Sequence, residues 1–341
     1  MITQDLIRRL PKAELHVHLD GSVRPRTLIE LAKAQGVTLP AHNERELAEY
    51  MHVTDARNLV DYLARFDVTL SVMQTPDALE RCTYELIEDA HAENVRYMEI
   101  RYSPILCTRK GMPLTEAVDA PLRGMARAQA DFGVKAQLII CGIRNMSPEV
   151  SLELANLTVG YKGRGVAAFD LAGAEYNFPA KKHKEAFYTV IDHNMATTVH
   201  AGEAYGAESI AQALHYCHAH RIGHGTRLYE NPELEQYVLD RRVPLEICPT
   251  SNVQTHAVPS IESHPIRRYF DLGIVVCVNT DNRLMSAVTV TDELWLCHSR
   301  LRFSRAELER MILYGFESAF LPFREREALV AKVRQELEAI Q

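Results

Sequence analysis

Two histidines separated by one residue form the first pattern along this 341-residue chain that could do chemistry. His16 and His18 lie in residues 14–19, where polar and apolar residues alternate as they do in a strand. Because successive side chains of a strand point to opposite faces, the two imidazoles face the same side. Such a pair is typical of metal ligands, although taken alone it is equally compatible with a structural role.

Other histidines and carboxylates follow further strand-like stretches, at the points where the apolar runs stop. They are His200 with Glu203, His224, and Asp281 followed by Asn282. Barrels of parallel strands build their sites at the carboxyl ends of the strands, so we expect these side chains to converge. Three imidazoles and a carboxylate suit a divalent cation of borderline softness, with zinc first. The alternative, in which each polar residue is satisfied separately, requires a coincidence on several strands.

The elements that must position these residues alternate between short strand-like runs and longer segments of helical periodicity. No hairpin turn joins one strand to the next, which favours a parallel sheet, and eight parallel strands close naturally into a barrel. We therefore predict an α/β protein, a (β/α)8 TIM barrel, with strands at residues 14–19, 95–102, 134–141, 165–171, 197–201, 221–223, 244–248 and 274–279.

A long stretch between the first and second strands breaks this repeat. It contains several helical patterns, among them 26–34 and 59–70, and no clear strand. An insertion of this kind is typical of a lid over the mouth of a barrel rather than of a separate domain. We expect residues 1–341 to form a single metal-dependent hydrolase barrel domain, with residues 22–93 as a helical insertion over its mouth.

The composition is that of a globular protein, with 47% apolar and 24% charged residues and a formal net charge of -7. Acidic and basic residues are mixed along the chain, which argues against a nucleic-acid partner. No apolar run has the length of a signal peptide or a membrane span, so we expect a cytoplasmic protein without a membrane partner. The seven cysteines show no Cys-x-x-Cys spacing and are interpreted as reduced, packed thiols.

Five sequence blocks occur in an order that identifies a resemblance to a known family over nearly the whole chain. They are HVHLDGS at 16–22, DLAGAE at 170–175, HAGE at 200–203, IGHG at 222–225 and NTD at 279–281. The chain resembles the adenosine deaminases of the amidohydrolase superfamily. The resemblance implies zinc-dependent hydrolytic deamination of adenosine and 2'-deoxyadenosine to inosine and 2'-deoxyinosine plus ammonia, a reaction of purine metabolism.

The resemblance also implies a role for each matching residue. One Zn²⁺ per subunit is expected, bound by His16, His18, His200 and Asp281. Catalysis is expected from Glu203, His224 and Asp281, and contacts to a small nucleoside substrate from His18, Asp20, Gly173 and Asn282. The oligomeric state and the preference between adenosine and 2'-deoxyadenosine stay open.

The catalytic residue types match the implied chemistry. A protonated Glu203 can donate to N1 of the purine while water attacks C6, so we expect burial to raise its pKa. Asp281 can accept a hydrogen bond from the attacking water and orient it. His224 beside it can take or hold the water's proton.

The residue types at the predicted substrate-binding positions also match the implied chemistry. The amide of Gly173 can donate to N3, where a side chain would collide with the purine ring. Asp20 can accept hydrogen bonds from ribose hydroxyls, although an Asp before Gly is also common in turns. Asn282 departs from family members that carry two adjacent aspartates, and its neutral amide can still donate to N7.

Three alternatives remain. The nearest is a deaminase of adenine or another adenosine derivative, which Asp20 disfavours because adenine deaminases typically have Glu after His-x-His-Leu. A two-metal amidohydrolase is disfavoured because the fourth strand ends in Phe169, Asp170 and Leu171 rather than in a metal-bridging lysine. A binding protein that has lost the chemistry is disfavoured because every expected ligand and the acid are present.

Five further histidines are left outside the site. His215, His218 and His220 are interpreted as a partly solvated face of the helix before the sixth strand. His256 and His264 lie in the loop after the seventh strand, where they could touch substrate or face solvent, and no role is assigned to them.

Overall fold

The computed structural model describes residues 2–340, and within them eight parallel strands follow one another around a single barrel. A parallel bridge between Val17 and Asp281 joins the chain after the last strand to the first strand and closes the ring. The predicted (β/α)8 TIM barrel is therefore confirmed. Its strands are Lys12–His18 (β1), Val95–Tyr102 (β2), Lys135–Ile143 (β3), Val166–Ala172 (β4), Ala196–Ala201 (β5), Arg221–His224 (β6), Leu245–Ile247 (β7) and Val276–Val278 (β8).

Helices fill the crossovers between the strands, and within the described residues none is long and apolar enough to cross a membrane. The α-helices are Gln4–Arg9 (α1), Pro25–Gln35 (α2), Glu44–Met51 (α3), Leu59–Leu63 (α4), Phe66–Val72 (α5), Pro76–Ala92 (α6), Leu114–Phe132 (α7), Pro148–Gly160 (α8), Lys184–Asp192 (α9), Ala207–His215 (α10), Pro232–Arg241 (α11), Pro249–Gln254 (α12), Ile266–Leu272 (α13), Arg283–Ser286 (α14), Val290–Leu301 (α15), Arg305–Glu317 (α16) and Phe323–Ala339 (α17). Short 3-10 turns occupy Pro104–Cys107, Ala180–His183, Leu228–Glu230 and Ile261–Ser263.

Each predicted strand is found, with ends that differ by a few residues. Strands of a parallel barrel are covered on both faces, and all seven residues of β1 are accordingly buried. The run of β-branched and apolar residues that predicts each strand thus reflects burial on both sides. All seven cysteines are buried and carry free thiols.

Two predicted helices are shorter than their patterns suggest. The pattern at 59–70 is divided into α4 and α5, with a break at Ala64 and Arg65. The helix before β6 ends at His215, so His218 and His220 do not lie on it. His218 has a left-handed backbone with φ +49°, and the amide of Thr197 donates to Nδ1 of His220. All three histidines are exposed.

Helices α2 to α5 follow β1. Apolar side chains of α4 and α5 line the central cavity of the barrel, namely Leu59, Tyr62, Leu63, Phe66 and Leu70. Helix α6, which also falls within residues 22–93, instead packs against α7 and β2 as an ordinary crossover helix. The segment after β1 therefore contains four helices, two of which line the cavity, followed by the first regular helix of the barrel.

The contact between α6 and α7 tests the packing of the outer helical ring. A Cβ added to Gly124 on α7 would lie 2.2 Å from the carbonyl oxygen of Glu80 on α6, and only a shift of the helices could relieve the clash. We expect Gly124→Ala to lower the free energy of unfolding by about 1–3 kcal/mol, measured by urea denaturation. Gly160→Ala is the control, because an added Cβ there meets nothing within 4 Å and alanine favours the helix. Equal losses in the two variants would contradict this packing.

Candidate active site

The carboxyl ends of four strands bring five of the predicted side chains into one buried cluster. Potential ligand atoms of His16, His200, His224 and Asp281 all lie within 4.8 Å of one another. His18 joins them, since its Nε2 lies 3.0 Å from Nε2 of His200 and 3.3 Å from Oδ1 of Asp281. These residues come from β1, β5, β6 and the end of β8, as convergence at the mouth of a parallel barrel requires.

Two buried carboxylates orient two of these imidazoles from behind. Nδ1 of His16 lies 2.9 Å from Oε2 of Glu246, and Nδ1 of His200 lies 3.0 Å from Oδ2 of Asp170. An ionised carboxylate only accepts hydrogen bonds, so Nδ1 carries the proton in both rings. Each Nε2 therefore directs a lone pair into the cluster, which is the arrangement found in histidines that bind metals.

The cluster has the properties of a cation site. Nε2 of His16 is buried without a hydrogen-bond partner among residues 2–340, and it faces Oδ1 of Asp281 at 3.4 Å. Two such acceptors at this distance need either a metal cation or a second imidazole proton between them, and the pKa of His16 is accordingly raised although burial opposes its protonation. Burial lowers the pKa of His18 and of His200, so both rings are neutral. Imidazole nitrogens with one carboxylate form a donor set that suits zinc.

A buried ion network supports the two orienting carboxylates. The guanidinium of Arg101 donates to Asp170 at 2.9 Å and to Glu246 at 2.8 Å, and Nε of Arg221 donates to Glu246 at 2.6 Å. Although burial opposes its ionisation, the charges of Arg101 and Arg221 hold the pKa of Glu246 well below its usual value. Sequence reasoning missed Glu246 and both arginines. Their signal was available, because charged residues inside the strands of a parallel barrel must be buried and paired.

Asp281 is held by three further interactions. Ser251 donates to its Oδ2 at 2.6 Å, while its own backbone pairs with His16 and His18 on β1. Its φ of +62° places it in the left-handed region, and His224 has a φ of +64°. Non-glycine residues adopt this region at a cost, and such strain concentrates at functional sites.

Glu203 lies on a loop that a single carboxylate holds in place. The backbone N–H groups of Gly202, Glu203, Ala204 and Tyr205 donate to Glu175 at 2.7, 3.0, 2.6 and 3.0 Å. Oε1 of Glu203 has no hydrogen-bond partner within the described chain, and Oε2 lies 3.5 Å from Nε2 of His224. Burial raises the pKa of Glu203, and the charge of Asp281 raises it further. Both effects favour the protonated form of Glu203, as expected for an acid.

The cluster opens into a cavity of about 330 Å³, within the range of small-molecule sites. Asp20 and Asn282 line it, and Oδ1 of each is buried without a hydrogen-bond partner in the described range. Burial raises the pKa of Asp20 to about 7. Gly173 also lines the cavity, with a φ of +93° that disfavours any side chain. Gly21 seats Asn282, because a Cβ at Gly21 would lie 1.8 Å from Oδ1 of Asn282.

The two histidines without an assigned role lie in different environments. His264 is buried, and its Nε2 lies 3.1 Å from Oδ1 of Asn252, which in turn contacts His224. His256 is exposed and donates at 2.7 Å to the backbone oxygen of Ala56, in the loop between α3 and α4. His264 is thus connected to the site through Asn252, and His256 is not.

Comparison with known sequences finds matches to adenosine deaminases over most of the chain. The adenosine deaminase family model matches residues 11–336. A probable adenosine deaminase of Dictyostelium discoideum is 45% identical over 94% of this chain, which spans 42% of that longer protein. An adenosine deaminase of Clostridium acetobutylicum is 38% identical, over 94% of this chain and 96% of its own length.

Comparison with solved structures finds two proteins of closely similar fold. An adenine deaminase of Arthrobacter aurescens is 30% identical with a TM-score of 0.90, covering 97% of this chain and 100% of its own. An amidohydrolase of Burkholderia ambifaria with bound Zn is 28% identical with a TM-score of 0.91, covering 100% and 94%. With a family model that spans almost all of its residues and relatives that match over most of its length, this chain belongs to the adenosine deaminase family.

Proposed function

We propose that this chain hydrolyses adenosine and 2'-deoxyadenosine to inosine and 2'-deoxyinosine with release of ammonia. The observation that supports the proposal is the position of Glu203, a buried acid with a raised pKa and an Oε1 without a partner in the described range, between the histidine cluster and a cavity of nucleoside size. Zinc chemistry and acid chemistry are thereby directed at the same point in the cavity.

We assign one Zn²⁺ to His16, His18, His200 and Asp281. His224 lies near enough to be a ligand, but its Nε2 is directed to Glu203, whereas Nε2 of His18 contacts both His200 and Asp281. Zinc held by these residues would supply a nucleophile at neutral pH, because it would lower the pKa of water from 15.7 towards about 7.

The residues of the chain then direct the addition of water to the purine. Asp281 accepts a hydrogen bond from the attacking water, and His224 holds that water through Nε2. As the oxygen bonds to C6, N1 takes the proton of Glu203 and the aromatic system is broken. Asp281 takes one proton of the water as the C6–O bond forms and passes it to the exocyclic nitrogen, which leaves as ammonia with the electrons of the C6–N bond. The remaining hydroxyl proton returns to Glu203 as the 6-oxopurine forms.

Three polar groups give the cavity its substrate preference. The amide of Gly173 donates to N3, the amide nitrogen of Asn282 donates to N7, and the unpartnered Oδ1 of Asp20 accepts from the ribose. A nucleotide is disfavoured, because Arg109 is the sole arginine or lysine among the described lining residues and the charge of Asp67 at 3.6 Å offsets it. Deamination of adenine or another adenosine derivative is the alternative.

A panel of four substrates tests the proposed reaction. Adenosine and 2'-deoxyadenosine should be deaminated with a far higher kcat/KM than adenine or AMP, because only the nucleosides satisfy Asp20 without bringing in a phosphate. Loss of purine absorbance and release of ammonia, measured together, report the reaction. If adenine were the best substrate, the nucleoside assignment would be wrong and the alternative would take its place.

Asp20→Ala separates ribose recognition from purine recognition in the same assay. The variant should lose kcat/KM for adenosine and leave the low kcat/KM for adenine nearly unchanged. Removal of this carboxylate breaks no hydrogen bond to its Oδ1 within residues 2–340, so the fold should be unaffected. Equal losses for both substrates would exclude a ribose contact.

Metal analysis tests the cofactor. The purified enzyme should contain one zinc per chain, a chelator should abolish deamination, and added zinc should restore it. His200→Ala should reduce bound zinc, because it removes one nitrogen ligand together with the hydrogen bond that this ring makes to Asp170. His215→Ala is the matched control, since this exposed histidine lies at the end of α10 away from the cluster. Full zinc content in His200→Ala would refute the ligand assignment.

Glu203→Gln tests the acid. Gln cannot transfer a proton to N1, so kcat should fall by about 10²–10⁴-fold, the usual contribution of general acid catalysis. Zinc content and KM should change little, because the carboxamide has nearly the same shape. Glu208→Gln, at an exposed carboxylate five residues later, is the control and should behave as wild type. Near-normal turnover in Glu203→Gln would exclude Glu203 as the proton donor.

A further inference from the structure

Asn252 lies behind His224, on the side away from the cavity. It belongs to α12, the short helix that follows β7, and is buried. Its amide nitrogen lies 3.0 Å from Nδ1 of His224. Its Oδ1 accepts from the hydroxyl of Thr226 at 3.0 Å and lies 3.1 Å from Nε2 of His264. A chain of hydrogen bonds therefore connects the unassigned His264 to a catalytic histidine.

A backbone N–H group determines which atoms donate and which accept in this series of hydrogen bonds, starting at His264. The N–H of Ile266 donates to Nδ1 of His264 at 3.1 Å, so that nitrogen must carry a lone pair. Burial lowers the pKa of His264 to about 3, which keeps the ring neutral. A neutral ring has one proton, and here it can only be on Nε2. His264 therefore donates to Oδ1 of Asn252.

The opposite orientation of the Asn252 amide is excluded by the same contacts. A flipped amide would present its NH₂ group to Nε2 of His264, which would then have to accept. Both ring nitrogens of His264 would be acceptors, and a neutral imidazole has only one acceptor nitrogen. The amide nitrogen of Asn252 consequently faces His224, and it can only donate.

Because Nδ1 of His224 accepts from Asn252, a neutral His224 carries its proton on Nε2. We propose that Asn252, oriented by His264, is a positioning residue that holds His224 in the Nε2-protonated tautomer, so that His224 meets the attacking water as a hydrogen-bond donor. His224 then holds the oxygen of the water and does not remove its proton.

This inference rests on the proposed function for the role of the water, while the tautomer itself is observable without turnover. Burial lowers the pKa of His224, which agrees with a neutral ring. The bond from Asn252 explains why an amide, rather than a carboxylate, stands behind this histidine, in contrast to His16 and His200. A carboxylate there would move the proton to Nδ1 and leave a lone pair directed at the cavity.

Four variants of the zinc-loaded enzyme test the kinetic part. Asn252→Asp replaces the donor by an acceptor of the same shape, and His264→Leu removes the group that orients the amide. Each should lower kcat by about 10–100-fold, the range for residues that orient a catalytic side chain, with KM for adenosine nearly unchanged and zinc content retained. His264→Gln should be close to wild type, because its amide can still donate to Asn252. Asn231→Asp, at the exposed start of α11, is the control for the charge change.

Long-range ¹H–¹⁵N spectra of the ¹⁵N-histidine-labelled, substrate-free holoenzyme test the tautomer directly. The signals of His224 are assigned by their absence in His224→Gln. We expect a protonated Nε2 and an unprotonated Nδ1 in the wild type, and the reverse or a doubly protonated ring in Asn252→Asp. A protonated Nδ1 in the wild type, full kcat in Asn252→Asp, or equal damage in His264→Gln and His264→Leu would each overturn the inference. An enzyme that left adenosine unchanged but carried the expected tautomer would refute the proposed function and leave the assigned tautomer standing.

Discussion

The geometry of the site depends on the hydrogen bonds and ion pairs of the buried Glu246 carboxylate. One oxygen accepts hydrogen bonds from Nδ1 of His16 and from Arg101. The other accepts hydrogen bonds from Arg221 and Thr198. A buried carboxylate is costly unless charges and donors compensate it, and here four donors do so. Removing any one of these donors would leave the carboxylate with less compensation for its burial in the barrel interior. The orientation of His16 is therefore tied to the pairing of the strands.

This constraint changes the character of the barrel core. The interior of a (β/α)8 barrel is usually filled with branched apolar side chains in layers. Here the inward positions of β2 carry Glu99 and Arg101, and those of β6 and β7 carry Arg221 and Glu246. The metal-binding cluster rests on this ionic layer, which fixes the imidazoles before any ligand arrives. Preorganisation of this kind is what electrostatic catalysis requires.

Residues that end strands were predictable from the sequence because apolar periodicity locates the strands, and parallel topology then brings their carboxyl ends together. The bounds of β2 agree with the prediction, and His16, His18, His200, His224 and Asp281 lie where convergence requires. The supporting residues were not predictable in the same way. Glu175 is 28 residues before Glu203, and Glu246 is 230 residues after His16, so no local pattern indicates that they touch.

The lengths of helices were less predictable for a related reason. The apolar pattern of 59–70 continues through Ala64 and Arg65, where the chain breaks to fit over the cavity. The helix α10 ends at His215, although the sequence retains helix-forming residues beyond it, because the chain must return to pair β6 with β5. In both places tertiary packing overrides local preference. Such boundaries depend on what the segment covers, which is information that periodicity does not contain.

Fixed neighbours rather than the solvent determine the protons of His16, His200 and His224. Carboxylates place a proton on Nδ1 of His16 and of His200, and the amide of Asn252 leaves Nδ1 of His224 without one. The three histidines thus differ in function although they are the same residue type. Where the outer partner accepts, the inner nitrogen of a neutral ring has a lone pair for a metal, and where the outer partner donates, the inner nitrogen is a donor. In the proposed assignment, residues that touch neither the substrate nor the metal therefore separate the metal ligands from the catalytic histidine.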